Sequence, residues 1–247
     1  GIVNPGTGTL VLSPGAANTY TGSTTINAGT LRIGNGNNAL PNGARVNVAV
    51  GATLDVNNQA ETVGSTNGSG FITLGSGTLT TGGDNTTTSY TGVISGAGGN
   101  LVKNGTGVWT LSGAVNTYTG TTTINAGAIN IDNANALGTN AGGTTIASNA
   151  TLNLTTSSFA LTENFTIAGI GNVGAGAIRS FNGGLHTLSG TITLTAASII
   201  QADAGAPLTL NGVISGGFDL TLNSGGATGI ITLSANNTLT GTTTVSA

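Results

Sequence analysis

The sequence predicts an all-β fold, a right-handed parallel β-helix (β-solenoid) with about 20 residues per turn. Three observations carry this. The segment Asn-Thr-Tyr-Thr-Gly-x-Thr-Thr-Ile-Asn-Ala-Gly occurs at Asn18–Gly29 and at Asn116–Gly127, and a third copy begins at Asn237. The apolar pairs Leu10/Leu12, Leu31/Ile33, Leu54/Val56 and Ile72/Leu74 succeed one another at steps of 21, 23 and 18 residues, each with the i, i+2 spacing of one strand face. Gly accounts for 44 of 247 residues and charged residues for 4%, which disfavours helices and is far from an ordinary soluble surface.

The elements follow in order. Ile2–Ser13 supplies the strands ahead of the first copy, and Leu101–Ser112 repeats it at a shift of 99. The shift falls to 98 within the motif because Ser13–Ala17 carries one extra residue. Thr53–Val56 answers Thr151–Leu154 at 98, and Gly92–Gly96 answers Gly212–Gly216 at 120. At about 20 residues per turn these units read as about five and about six turns, differing by one whole turn, which a stacked solenoid accepts without losing register. Asp132–Leu137 is the one stretch expected to form a short helical turn.

Inward side chains should stack into a narrow core that includes Leu10, Leu31, Leu54, Ile72, Leu111 and Leu152. Gly and Asn should occupy bends that need positive φ. Right-handed coiling follows the general preference of parallel crossovers. About twelve turns at ~4.8 Å each give a rod of about 58 Å. No linker divides residues 1–247, so they read as one continuous solenoid segment, a fragment of a longer array. The third copy stops at Ala247 in mid-motif, and Gly1–Ser13 starts partway through a unit. Open ladders recruit strands, so adjoining repeats or identical subunits are expected to cover both ends, and the isolated segment should self-associate.

Composition removes several classes. At 37% hydrophobic residues the chain is not disordered, and with four Pro and no three-residue Gly period it is not collagen. No apolar run reaches the ~20 residues of a membrane helix. The net charge is −3 and the basic residues Arg32, Arg45, Lys103 and Arg179 are dispersed, which opposes nucleic acid and anionic membranes as partners. The cysteine count of zero suits a chain crossing an oxidising compartment and suits a low-complexity repeat equally.

The catalytic candidates are few. Asp55 and Glu61 could converge as a carboxylate pair, but they read as solvated residues at a strand end and its loop. His186 could act as a base with Asp203 near abundant Ser, though a lone His is expected by chance. Replacing Asp55, Glu61 and His186 together should therefore spare any activity. Gly169–Gly174 satisfies G-x-G-x-x-G without the following helix or distant acid of a dinucleotide site, and reads as a bend. Gly82–Asn85 is a single fragment of a calcium nonapeptide, so no metal or cofactor is expected. Tyr20 and Tyr118, about five turns or ~24 Å apart, are expected at equivalent corners, not on one sugar platform. A stacked Thr face for ice or glycan needs Thr at one position on successive turns. Ser23-Thr24-Thr25 and its counterpart Thr121–Thr123 recur only once per large unit, which argues against it.

The run Gly99–Gly113, Gly-Asn-Leu-Val-Lys-Asn-Gly-Thr-Gly-Val-Trp-Thr-Leu-Ser-Gly, followed by the motif at Asn116, resembles the autotransporter-associated β-strand repeat, or passenger-associated transport repeat. The resemblance is fullest over residues 89–131. The first copy has Asn4-Pro5 in place of Lys-Asn, and the third has Leu239 in place of Tyr. The signature positions are Asn18, Tyr20, Gly22 and Gly29 in copy one, and Asn237 and Gly241 in copy three. Copy two supplies Lys103, Gly105, Gly107, Trp109, Asn116, Tyr118, Gly120 and Gly127. The resemblance implies a non-enzymatic passenger region of a bacterial surface protein, exported through an outer-membrane barrel and folded outside as a stalk for adhesive modules. A host-cell, glycan or matrix receptor is the partner it implies. The residues alone leave open an extracellular filament or matrix protein whose weakly charged sides bundle.

Overall fold

The computed structural model describes residues 1–13, 18–113, 115–226 and 228–246, so the longer Ser13–Ala17 linker and the terminal Ala247 fall largely or wholly outside the described residues. The chain is a parallel β-solenoid whose strands form three ladders. The first ladder runs from Ile2–Asn4 to Thr243–Ser246 through twelve strands, at an average of about 22 residues per turn. The second joins Thr9–Leu12 to Val93–Ser95, then Phe159–Leu161 to Ile231–Leu233. Into the gap, Thr117 N–H donates to Ile94 O at 2.9 Å and Thr139 N–H to Tyr118 O at 2.9 Å, so the stacking continues without formal strands as far as Thr139. The third runs from Ala60–Thr62 to Thr238–Leu239. It meets the first in the 12-residue strand Ile192–Asp203, which turns a corner without a loop.

Alternation explains which side chains face inward. In Asn100–Lys103 and Val108–Leu111, every second residue is buried. The column Ile26, Val48, Gly68, Tyr90, Leu111, Ile131, Leu154 repeats in register from turn to turn. Gly68 lies beneath Tyr90, whose hydroxyl donates to Gly70 O at 2.9 Å. The expected pairs stack as read: Leu10 on Leu31, Leu31 on Leu54, and Leu54 on Ile72.

Four expectations are corrected. Leu31, Leu54, Ile72, Leu111 and Leu152 are buried, but Leu10 is 39% exposed because its turn is stacked on one side only. Asp132–Leu137 forms hydrogen-bonded turns rather than a helix, and a 3₁₀ segment occurs instead at Asn172–Gly174, inside the G-x-G-x-x-G bend. The rod has about eleven inter-turn steps, giving about 53 Å.

The fourth correction concerns the repeat. Copy one places Thr9–Leu12 on the second ladder and Thr24–Ile26 on the first. Copy two places the equivalent Val108–Leu111 on the first and Thr122–Ile124 on the third. Copy three returns to the arrangement of copy one. The units are therefore four and two-thirds and five and one-third turns, not whole turns. The motif specifies one corner with its flanking strands, and two of the three corners host it here.

Candidate functional site

The signature residues of copy two form a connected corner. Asn116 is 4% exposed and spans three turns: its Oδ1 accepts from Ile94 N–H at 2.8 Å and its Nδ2 donates to Ala136 O at 2.7 Å. Asn18 repeats the second bond to Ala39 O at 2.6 Å, and Asn237 repeats the first from Ile214 N–H at 2.8 Å. Tyr118 and Tyr20 hold equivalent positions within their copies, though at different corners of the rod, each sharing a hydroxyl–hydroxyl bond with the Thr four residues on, at 2.7 Å to Thr122 and 2.6 Å to Thr24. Gly120 presses against the backbone of Gly99, where a Cβ has no room, and Gly22 and Gly241 likewise meet the preceding turn at their own copies. Gly127 has φ +67° and abuts the Gly105–Gly107 bend, as Gly29 abuts Gly6–Gly8.

Lys103 is 1% exposed, and its Nζ donates to the carbonyls of Asn104, Gly105 and Ala126 at 2.6, 2.9 and 3.4 Å. Burial lowers its pKa to about 8, opposed by nearby Asp84. In copy one Asn4 does the same work, its Nδ2 donating to Ala28 O at 3.2 Å. The carbonyls of this bend thus receive a donor in both copies, from different residue types. Trp109 is 1% exposed, wedged in register with Thr88 and Ile129.

The catalytic candidates do not assemble. Asp55 faces outward on the second ladder and pairs with Arg32 at 2.7 Å. Glu61, expected in solvent, is 1% exposed on the inward side of the third ladder. Its two oxygens accept the N–H groups of Ala39 and Leu40, both at 2.8 Å, which makes the burial tolerable. His186 is also buried rather than solvated: Nδ1 contacts Ser180 Oγ at 2.8 Å and Nε2 contacts Ser157 O at 2.9 Å. Asp203 pairs with Arg179 instead. A triple replacement at Asp55, Glu61 and His186 would therefore disturb the core and cannot serve as a neutral test. At Gly82–Asn85, Asp84 accepts from Ser65 Oγ at 2.6 Å and from Thr86, closing a turn.

Two features escaped sequence reading. Glu163 is buried beside Tyr118, with Thr144 Oγ1 donating to its Oε1 at 2.6 Å, and burial raises its pKa to about 7. Glu61 is raised to about 7 for the same reason. Second, a Thr row does exist. Thr62, Thr80, Val102, Thr123, Thr145, Thr166, Thr193, Ser215 and Thr238 share one outward register on the third ladder. Unequal turn lengths, 18 residues from Thr62 to Thr80 and 27 from Thr166 to Thr193, scatter the row in the sequence. The first ladder carries amides outward instead, with Asn153 Nδ2 donating to Asn130 Oδ1 at 2.8 Å.

The buried carboxyls make stability depend on pH. A pKa raised from 4.5 to about 7 means that the folded form holds the proton more tightly. The contribution of Glu163 is then full below about 4.5 and lost as pH rises through about 7. Glu163→Gln keeps the acceptor for Thr144, so the melting temperature of the wild type should fall relative to this variant between pH 5 and pH 8. Paired melting curves check this. A constant difference across that range refutes it.

The model of the family described as Passenger-associated-transport-repeat matches residues 6–33, 101–131 and 228–247, the three copies read from the sequence. A curated relative, the Adhesin BmaC autotransporter of Brucella suis biovar 1 (strain 1330), is 43% identical over 129 residues. That alignment covers 50% of this chain and 4% of the relative, so the chain corresponds to a small part of that protein's length. No solved structure matches the chain. The two sequence matches agree on a secreted, cell-surface setting, of passenger-repeat type.

Proposed function

We propose that the chain is a non-enzymatic shaft segment of a secreted bacterial surface passenger, which supports export and holds adhesive modules away from the cell. The observation that carries this is the unbroken first ladder, twelve parallel strands stacked from Ile2 to Ser246. A stack held by main-chain bonds at every turn is stiff along its axis, and its turns can add one upon another as the chain emerges. Further stacked turns, of the same chain or of identical subunits, are the partners that open ladder edges of this kind take. What the shaft's tip binds belongs to other modules.

The test is display of the full passenger on the cell surface. Inserting Pro into Thr122–Ile124, whose N–H groups serve the third ladder, should reduce surface-exposed passenger several-fold while leaving its synthesis unchanged. Undiminished display would refute a role in export.

The threonine row favours a second reading, a flat hydroxyl-and-methyl face that adsorbs to a repeating surface such as ice or a crystalline polysaccharide. Thr145→Lys with Thr166→Lys should then abolish inhibition of ice recrystallisation or co-sedimentation with chitin. Absence of both activities in the wild type ends this reading.

A further inference from the structure

Six asparagines directly precede a glycine: Asn35, Asn42, Asn67, Asn104, Asn182 and Asn211. Such a pair can modify itself. The glycine amide nitrogen attacks the asparagine Cγ, an N–Cγ bond forms, the Cγ–Nδ2 bond breaks, and ammonia leaves with the amide proton. Water then opens the resulting cyclic imide at either carbonyl, giving aspartate or the isomer whose main chain runs through Cγ. Glycine lets its nitrogen approach most freely because it has no Cβ. The attack needs a glycine amide without a hydrogen bond and an asparagine side chain free to turn, so the fold decides which pairs react.

Four of the six are held. Asn67 lies in the strand Ser65–Gly68, where Gly68 stands in register with Val48 and Tyr90, and its Oδ1 is buried. Asn104 Oδ1 accepts from Asn125 Nδ2 at 2.8 Å. Asn211 is exposed, yet the Gly212 N–H donates to Leu188 O at 3.2 Å. Asn35 is exposed as well, and the Gly36 N–H donates to Gln59 Oε1 at 3.3 Å. Exposure alone therefore does not sort the pairs.

The other two are free. Asn182 and Gly183 form an exposed turn with φ of +61° and +90°, and no described hydrogen bond holds the Asn182 side chain or the Gly183 amide. Asn42 and Gly43 are the central pair of an exposed turn closed by Ala44 N–H to Pro41 O at 3.0 Å. Here too neither the Asn42 side chain nor the Gly43 amide has a described partner, and no described atom lies within 4 Å of where a Gly43 Cβ would stand.

We propose that Asn42 and Asn182 are sites of spontaneous deamidation, with water as the only co-reactant, and that the fold protects the other four. A held amide reacts only through local opening, and each ~1.4 kcal/mol of opening slows the reaction about tenfold. Every event places a carboxylate on a chain whose net charge is −3, so the rod grows more acidic with age. At Asn182 the isomer also adds a main-chain carbon to the link 182–185 between Ile178–Phe181 and His186–Leu188. The inference stands independently of the shaft reading.

The test is incubation of the intact chain in heavy-oxygen water at mildly alkaline pH, followed by peptide mass mapping. Asn42 and Asn182 should gain the mass of an amide-to-acid change with one heavy oxygen. Their rates should exceed those of Asn67, Asn104 and Asn211 by about tenfold or more. In concentrated urea all six should react at comparable rates, because the local sequence is the same. Gln59→Ala should raise the rate at Asn35 severalfold by releasing the Gly36 amide. Three results would each overturn the proposal. One is reaction of Asn67, Asn104 or Asn211 in the folded chain as fast as Asn182. Another is silence at Asn42 or Asn182 while the unfolded chain reacts there. The third is an unchanged rate at Asn35 in the variant.

Discussion

Trp109→Ala is expected to destabilise the solenoid by about 3–5 kcal/mol, the largest effect of any single truncation in the motif. The ring is 1% exposed, and its Nε1 is buried without a partner, so the loss is one of packing with no hydrogen bond removed. Its neighbours are held by main-chain ladders above and below and cannot close in on the space. Trp109→Phe should cost clearly less, since it fills most of the volume and removes the unpaired N–H. A solenoid transmits such damage mainly to adjoining turns. Hydrogen exchange should accordingly quicken over residues 88–131 while 192–203 stays protected. Equal acceleration along the whole rod would contradict this picture.

Asn116→Ala should cost about 2–4 kcal/mol, because it strands a buried N–H of Ile94 and a buried C=O of Ala136 in one step. Asn130→Ala, an outward amide on the first ladder, should cost no more than about 0.5 kcal/mol. Asn116→Asp separates the two bonds: it keeps the acceptor for Ile94 and loses the donor to Ala136. Denaturant unfolding of the three variants measures the series. Equal loss at Asn116 and Asn130 would show that the bridge between turns contributes nothing.

The fold class, the stacking of Leu10, Leu31, Leu54 and Ile72, and the equivalence of Tyr20 and Tyr118 were legible because they depend on local alternation and on exact repetition of words. Glu61, Glu163 and His186 were not. In a strand of three residues the middle side chain faces opposite to its two neighbours, and nothing in the sequence marks which of those faces is inward at Glu61. Its partners, Ala39 and Leu40, lie a turn earlier in a stretch with no strand signal. The Thr row was hidden for a related reason. Its register is kept by hydrogen bonds between turns, whereas sequence spacing also counts the loops, whose lengths vary freely. The same variation made units of 98 and 121 residues look like whole numbers of turns.

The rotation of copy two has a consequence for how such a chain can change its length. If the motif had to return to the same side of the rod, a duplicated stretch would need to close on a whole turn, and most accidental duplications would misalign every layer beyond them. Here the two intervals contain fourteen and sixteen strand faces, neither of them a multiple of three, and the stack remains continuous through both. The heritable step is then one face, roughly a third of a turn, and not the turn itself. Recombination between copies needs to respect only the boundary between one short strand and the next. Any feature attached to the motif would also wind about the axis as copies accumulate, so a lengthening array would present it in changing directions.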